Sequence, residues 1–381
     1  MSTHPKVFKN ATLILADEVL DGSLTVDETG RISGIGSPTE TGGHDCEGDF
    51  LLPGLVELHT DHLETHYAPR PKVRWNAVSA VQAHDAQIAC AGITTVFDAL
   101  RVGMDEDADL KYPDMRILAD AIETGQKEKR LRADHFIHLR CEVSAPDVLN
   151  AFKVFENDDS IRLMSLMDHT PGQRQFVSME AYKVYYQGKK GFSDAEMDDF
   201  IRRRQQRAGN IAPENRKQLS AIAAERGIAV ASHDDATCDH VQEAVALNTR
   251  IAEFPTTLEA AKASHEAGMA VLMGAPNVVR GGSHSGNISA KDLAEAGYLD
   301  VLSSDYVPVS LVQAAFQLAG EIEAISLPRA VAMVTSTPAR AIGLDDRGEL
   351  APGLRADLIQ VRLVGNIPVV RGVWREGRRV A

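Results

Sequence analysis

The sequence predicts an α/β fold, a (β/α)8 TIM-like barrel with a small β-sandwich module formed by both chain termini. Three observations carry that expectation. Eight short apolar or β-branched segments run through the middle of the chain, with polar or Ala-rich helical-looking stretches between most of them. Five of those segments end in His, Asp or Glu, and both ends of the chain read instead as short strands joined by tight turns.

In chain order, the barrel strands are expected at Leu52–Leu58, Ile93–Ala99, His135–Val143, Arg162–Met167, Ile228–Ser232, Arg250–Phe254, Met269–Gly274 and Asp300–Ser304. Before them, Val7–Leu15, Gly22–Asp27 and Arg31–Gly36 read as strands separated by turns such as Glu28-Thr29-Gly30. After them, the turn Gly348 to Gly353 precedes strand-like Ala356–Val364 and Val369–Trp374. The expected division is a composite β module from residues 1–50 and 347–381, and a barrel over 51–346. A doubly wound dinucleotide fold is the rival, and no glycine-rich phosphate fingerprint follows an early strand.

Composition sets the outer limits. The chain has 381 residues, 44% hydrophobic and 25% charged, which suits one barrel with an accessory module. No stretch has the uninterrupted apolar length of a bilayer span, and Met1–Asn10 is polar, so the cytoplasm is the expected location. The formal charge of -14 disfavours nucleic acid and anionic membranes as partners. Cys46, Cys90, Cys141 and Cys238 form no CxxC pair, so neither a thiolate zinc site nor a disulfide framework is indicated, and buried, reduced side chains are expected. Whether the chain forms a homo-oligomer stays open at this level.

The chemistry concentrates at the strand ends. His59 and Asp61 close the first expected strand, and their i, i+2 spacing points both to one face. Alone, such a pair would equally be a core histidine hydrogen-bonded to its neighbour. Glu142 closes the third strand, Asp168-His169 the fourth, His233-Asp234-Asp235 the fifth and Asp305 the eighth. In a barrel these ends face one another across the top, so five together point to an active site. The mixed imidazole and carboxylate set suits one or two divalent ions, with zinc expected first and manganese or iron as the other candidates. Such ions make water nucleophilic at neutral pH, so hydrolysis follows.

Three donor-rich loops follow strands one, four and seven: Arg70-Pro71-Lys72, Gln173-Arg174-Gln175, and Arg280 through Ser283-His284 to Asn287. Arg70, Lys72, Arg174, Arg280, Ser283 and His284 are therefore candidate receptors for an anionic, phosphate-bearing substrate. A solvated turn-rich loop is the competing account of each one. The segment 182–215 is long enough for a lid, although its run Arg202-Arg203-Arg204 reads better as the solvated face of a helix paired with Glu196, Asp198 and Asp199.

The stretches Pro53–Asp61, Ser165–Phe176, Ala231–Thr237, Ala252–Thr257, Leu272–Asn277 and Leu302–Tyr306 together resemble the PhnM family of the carbon-phosphorus lyase pathway, within the amidohydrolase superfamily. The resemblance runs over essentially the whole chain. It implies hydrolysis of α-D-ribose 1-methylphosphonate 5-triphosphate to the 5-phosphate and pyrophosphate, in phosphonate catabolism. It also implies that His59, Asp61, Glu142, His169, His233 and Asp305 hold metal and that Asp305 takes a proton from the bridging water. Asp168, Asp234 and Asp235 are then partners that orient the ligating histidines, or enter the ligand set themselves. The bridging carboxylated lysine common in the superfamily has no counterpart near the third or fourth strand end. A cyclic-amide hydrolase or deaminase on the same barrel, and a non-catalytic barrel scaffold, are the alternatives.

Overall fold

The apolar run expected as one strand over Leu52–Leu58 is divided at Gly54, and each half enters a different sheet. The chain passes so close to Thr94 there that a Cβ on Gly54 would lie 2.2 Å from the threonine Oγ1. Only glycine fits. The computed structural model describes residues 6–36, 42–103, 110–174, 191–283 and 286–381, together with Met179, Lys183 and Gln187.

Before the division, β1 (Lys6–Ile14), β2 (Val19–Val26), β3 (Ile32–Gly36), β4 (His44–Asp45) and β5 (Phe50–Pro53) belong to a mostly antiparallel sheet. After it, β6 (Leu55–Thr60), β7 (Ile93–Val102), β8 (Asp134–Glu142), β9 (Ile161–Met167), β10 (Ala229–His233), β11 (Ile251–Glu253), β12 (Ala270–Gly274) and β13 (Val301–Ser303) form a second sheet, in sequence order and parallel throughout. All eight expected barrel strands are present. A parallel bridge between Thr60 and Asp305 links the two edge strands and closes the ring.

The chain returns to the first sheet through β14 (Leu358–Val364), β15 (Ile367–Arg375) and β16 (Arg378–Arg379), giving the order β16-β15-β14-β5-β1-β2-β3, with β4 beside β1. Phe8, Leu13, Leu24, Leu51, Leu358 and Trp374 are buried in its core, so both termini bury one another's apolar faces. Asp134, the first residue of β8, fastens the terminal segment to the barrel. Its carboxylate lies 2.9 Å from Arg347, 2.7 Å from Arg355 and 2.9 Å from Arg375.

The inside of the barrel is layered. Phe97, Leu163, Ala231, Ile251, Leu272 and Val301 fill the lower layer. Two residues further along several strands the period of two brings polar groups to the same face: Ser165 after Leu163, His233 after Ala231, Glu253 after Ile251. The strand-end chemistry therefore rises directly from a packed apolar floor.

Helices cover the outside. α1 (Leu63–Tyr67) and α2 (Ala77–Cys90) connect β6 to β7, and α2 begins at Asn76, whose side chain accepts the Ser79 N–H. The helix Asp194–Arg226 starts at a capping box between Ser193 and Glu196 and stops at Gly227, which takes φ 65°. Arg202 and Arg203 pair with Asp199 on its solvated face, as the charge pattern predicts. Of the segment 182–215 weighed as a lid, residues 182, 184–186 and 188–190 lie outside the described residues, and 194–215 belong to this helix. The four cysteines are unpaired. Cys46 and Cys141 are buried as expected, but Cys238 is half-buried and Cys90 is exposed at the end of α2. Among the described residues no helix is long and apolar enough to cross a membrane.

Candidate active site

A cavity of about 380 Å³ opens at the carboxyl ends of the strands. His59, Asp61, His233, Asp234 and Asp305 line it, together with Arg140, Arg280 and Ser283. Barrel closure brings the first and last strands together: the Asp305 N–H donates to the His59 carbonyl oxygen at 3.0 Å, and the Asp61 N–H donates to the Asp305 carbonyl oxygen at 3.3 Å. Burial, then the nearby Asp61 carboxylate, raises the Asp305 pKa above the usual aspartate value.

Three non-glycine residues just beyond strand ends adopt left-handed backbone: Asp234 at φ 56°, Phe254 at φ 53° and Asp305 at φ 53°. All three line the cavity. For phenylalanine especially this conformation is costly, and strain of this kind collects where side chains must be aimed.

Buried carboxylates hold each of the three histidines by Nδ1. Glu253 takes His59 Nδ1 and His233 Nδ1, each at 3.1 Å, one on each carboxylate oxygen. The Ser165 hydroxyl also donates to Glu253 at 2.6 Å. Burial opposes ionisation of Glu253, but His138 and His59 outweigh it and hold its pKa well below the ordinary range. Glu142 takes His169 Nδ1 at 2.5 Å and the His169 N–H at 3.0 Å, with Ser144 at 2.6 Å and Arg101 at 3.2 Å. Burial opposes ionisation there too, yet His169 and Arg101 keep the Glu142 carboxyl ionised to unusually low pH. A histidine donating from Nδ1 to a carboxylate presents Nε2 as its lone pair, the arrangement that orients metal ligands.

The Nε2 atoms of His169 and His233 converge with Asp234. Its Oδ2 lies 3.5 Å from His233 Nε2 and 3.8 Å from His169 Nε2, and is buried without a hydrogen-bond partner. Ligand atoms of His169, His233 and Asp234 all fall within 4.8 Å of one another, so the donor set and the orphaned oxygen fit a divalent cation.

The structure distributes the other expected residues differently. Glu142, expected as a ligand, has its oxygens against His169, Ser144 and Arg101. Arg174, expected at the substrate loop, is buried against Asp235 and 2.7 Å from Glu243, and it lines a separate cavity of about 490 Å³ with Asp168. Its charge is met by those carboxylates, and it does not line the cavity that holds Arg280. Asp235 is its partner, and Asp168 accepts from Thr170 and from Arg216 at 3.3 Å. Neither touches a ligating histidine in the way Glu253 and Glu142 do. Arg70 and Lys72 sit on an exposed loop and do not line the catalytic cavity. Arg280 and Ser283 do, and His284 lies outside the described residues.

Two residues were missed. Glu253 ends the sixth strand, so the strand-end rule that found His233 applied equally to it. Arg140 lies two residues before Glu142 on β8, hence on the same face; half-buried in the cavity lining, its guanidinium sits 3.2 Å from Asp61.

Residues 91–381 match the amidohydrolase family. The α-D-ribose 1-methylphosphonate 5-triphosphate diphosphatase of Escherichia coli strain K12 is 46% identical over 377 residues, which span 98% of this chain and 100% of that protein. This chain belongs to the amidohydrolase family. Among solved structures, this amidohydrolase is similar to N-acetylglucosamine-6-phosphate deacetylase from Pasteurella multocida, at TM-score 0.65 and 14% identity over 99% of both chains. It is also similar to N-isopropylammelide isopropylaminohydrolase from Burkholderia multivorans, at TM-score 0.63 and 19% identity over 98% of this chain and 97% of that one. At such low identity the likeness concerns the fold, and the amidohydrolase barrel accounts for it.

Proposed function

We propose that this amidohydrolase is a cytoplasmic, metal-dependent diphosphatase that hydrolyses α-D-ribose 1-methylphosphonate 5-triphosphate to the 5-phosphate and pyrophosphate. The observation that carries the reading is the juxtaposition of Arg140 and Arg280 with His59, His233, Asp234 and Asp305 in one cavity. A cyclic amide needs no such pair of cations, whereas a triphosphate brings charge that guanidinium groups meet well. The 46% identity to the Escherichia coli diphosphatase over nearly the whole chain supports the same substrate.

His169, His233 and Asp234 would hold a divalent cation, with His59 and Asp61 at the facing wall for a second; zinc is the best match to imidazole and carboxylate donors. Such an ion supplies Lewis acidity toward a phosphoryl oxygen and makes water nucleophilic at neutral pH. Asp305 accepts the proton of the attacking water as the new oxygen–phosphorus bond forms and the anhydride oxygen–phosphorus bond breaks, releasing pyrophosphate. Its raised pKa suits it to hold that proton. Arg140 and Arg280 meet the phosphate charge, and Glu253 and Glu142 keep the histidines aligned.

The test is pyrophosphate release from the ribose phosphonate triphosphate by metal-replete protein, with a chelated control and a cyclic amide in parallel. Metal-dependent release is expected. Amide turnover with no pyrophosphate would sink the reading.

A further inference from the structure

We propose that His62, His66 and His84 form a second cation site, outside the catalytic cavity, that takes Zn²⁺ and ties α1 to α2. His62 and His66 belong to the α1 turn and His84 to α2, and none of them lines the catalytic cavity. Their rings form a triangle, with centroids 5.1 Å apart for His62–His66, 6.0 Å for His66–His84 and 6.1 Å for His62–His84. Zinc–nitrogen bonds of about 2.1 Å place each imidazole centre roughly 3.2 Å from the ion, so tetrahedral angles separate the centres by roughly 5 Å. One edge of the triangle already has that length. The other two are about 1 Å wider, within reach of side-chain rotation at half-buried His62 and His66.

The hydrogen bonding points the same way. His84 is fully buried, and its Nε2 lies 2.8 Å from the Asp98 carboxylate, itself engaged by His135 Nδ1 at 2.7 Å. That leaves His84 Nδ1 as the lone pair, and it is buried with no hydrogen-bond partner. His66 Nε2 is likewise buried with none. Buried polar atoms are nearly always satisfied, so two orphaned imidazole nitrogens in one cluster call for a ligand. On the third ring, Nε2 lies 3.0 Å from Gln87 Oε1, which leaves His62 Nδ1 as its lone pair. Each of His62 and His84 is thus oriented by an acceptor on its far nitrogen, and Asp98 plays toward His84 the part that Glu253 plays toward the catalytic histidines. Three neutral imidazoles with no thiolate select a borderline ion over magnesium or calcium, and leave a fourth position for water.

The experiment is equilibrium dialysis of the full chain against buffered free Zn²⁺, counting zinc per chain by atomic emission in the wild type, His66→Leu and His62→Gln. The expected result is one zinc fewer per chain in both variants than in the wild type, with pyrophosphate release by His66→Leu preserved. Equal zinc content in all three proteins would overturn the proposal. Loading with Co²⁺ gives an independent reading. The wild-type minus His66→Leu difference spectrum should show the visible bands of a tetrahedral nitrogen-ligated ion, and a featureless difference also overturns it. Zinc content is read separately from hydrolysis, so this outcome and that of the diphosphatase assignment are distinguishable.

Discussion

Asp305 and His59 are joined through the backbone, the Asp305 N–H donating to the His59 carbonyl oxygen at 3.0 Å. The bond that closes the barrel is also the one that sets the proposed proton acceptor beside the first strand's histidine. Replacing Asp305 by Asn keeps that backbone bond and removes only the carboxylate. Asp305→Asn should lower kcat for pyrophosphate release by about 10²–10⁴-fold with an unchanged circular dichroism spectrum. A loss smaller than tenfold would remove Asp305 from the proton-transfer role.

Glu253 serves two histidines at once, so its loss is felt on both sides of the cavity. In Glu253→Gln the amide presents one acceptor oxygen where two stood. Metal affinity, measured by competition with a chromophoric chelator, is expected to fall by about 10–100-fold. An unchanged affinity would mean that the histidines are held by packing alone.

Arg280 reaches the cavity from the end of the short helix Ala275–Arg280 that follows β12. Arg280→Ala should raise KM for the triphosphate substrate at least tenfold, since a charge-assisted contact to phosphate contributes about 1.5–3 kcal/mol. Steady-state kinetics in which KM and kcat both hold would show that the phosphates lie elsewhere.

Arg174 is expected to behave in the opposite way. Its guanidinium is buried against Asp235 and Glu243, so Arg174→Met leaves a buried carboxylate unpaired and should cost roughly 3 kcal/mol of stability. A large fall in the thermal midpoint with KM unchanged is the expected signature. A raised KM at normal stability would restore the arginine to the substrate cradle.

Asp134 gives a pH dependence with a definite sign. Burial works to raise its pKa, but Arg355, Arg375 and Arg347 outweigh it, so the folded value lies below the unfolded 3.8. A depressed carboxylate pKa contributes stability above the unfolded value and loses it as pH falls through the folded one. Asp134→Asn should therefore unfold at lower urea than the wild type at pH 7, and the gap should narrow as pH falls below about 3.8. A gap that does not change with pH would assign the effect to packing.

Much of this architecture is visible in the sequence. The barrel strands are largely buried on both faces, so several appear as compact apolar runs with polar borders, as at Ala270–Gly274. His59, Asp61, His233 and Asp305 follow because a barrel gathers its strand ends. Gly54 was less legible: a single glycine inside an apolar run looks like part of one strand, and only the approach of Thr94 divides it. The pairing of Arg174 was not legible because its partners lie 61 and 69 residues away, one of them on a later helix, and local sequence carries no trace of such pairing. Glu142 has the residue type of a ligand. Its contacts with Ser144, Arg101 and His169 are a tertiary fact.

The sheet order also constrains when the protein can finish folding. β5 lies between β1 and β14, and Asp134 waits for arginines at 347, 355 and 375. During synthesis the amino-terminal strands emerge first and leave one edge of β5 without its neighbour until nearly the whole barrel has followed. Ring closure between β6 and β13 must likewise await residue 305. The nascent chain thus spends most of its translation with open sheet edges, and its last few dozen residues seal both sheets almost together, a topology of high contact order that predicts slow, late and cooperative maturation.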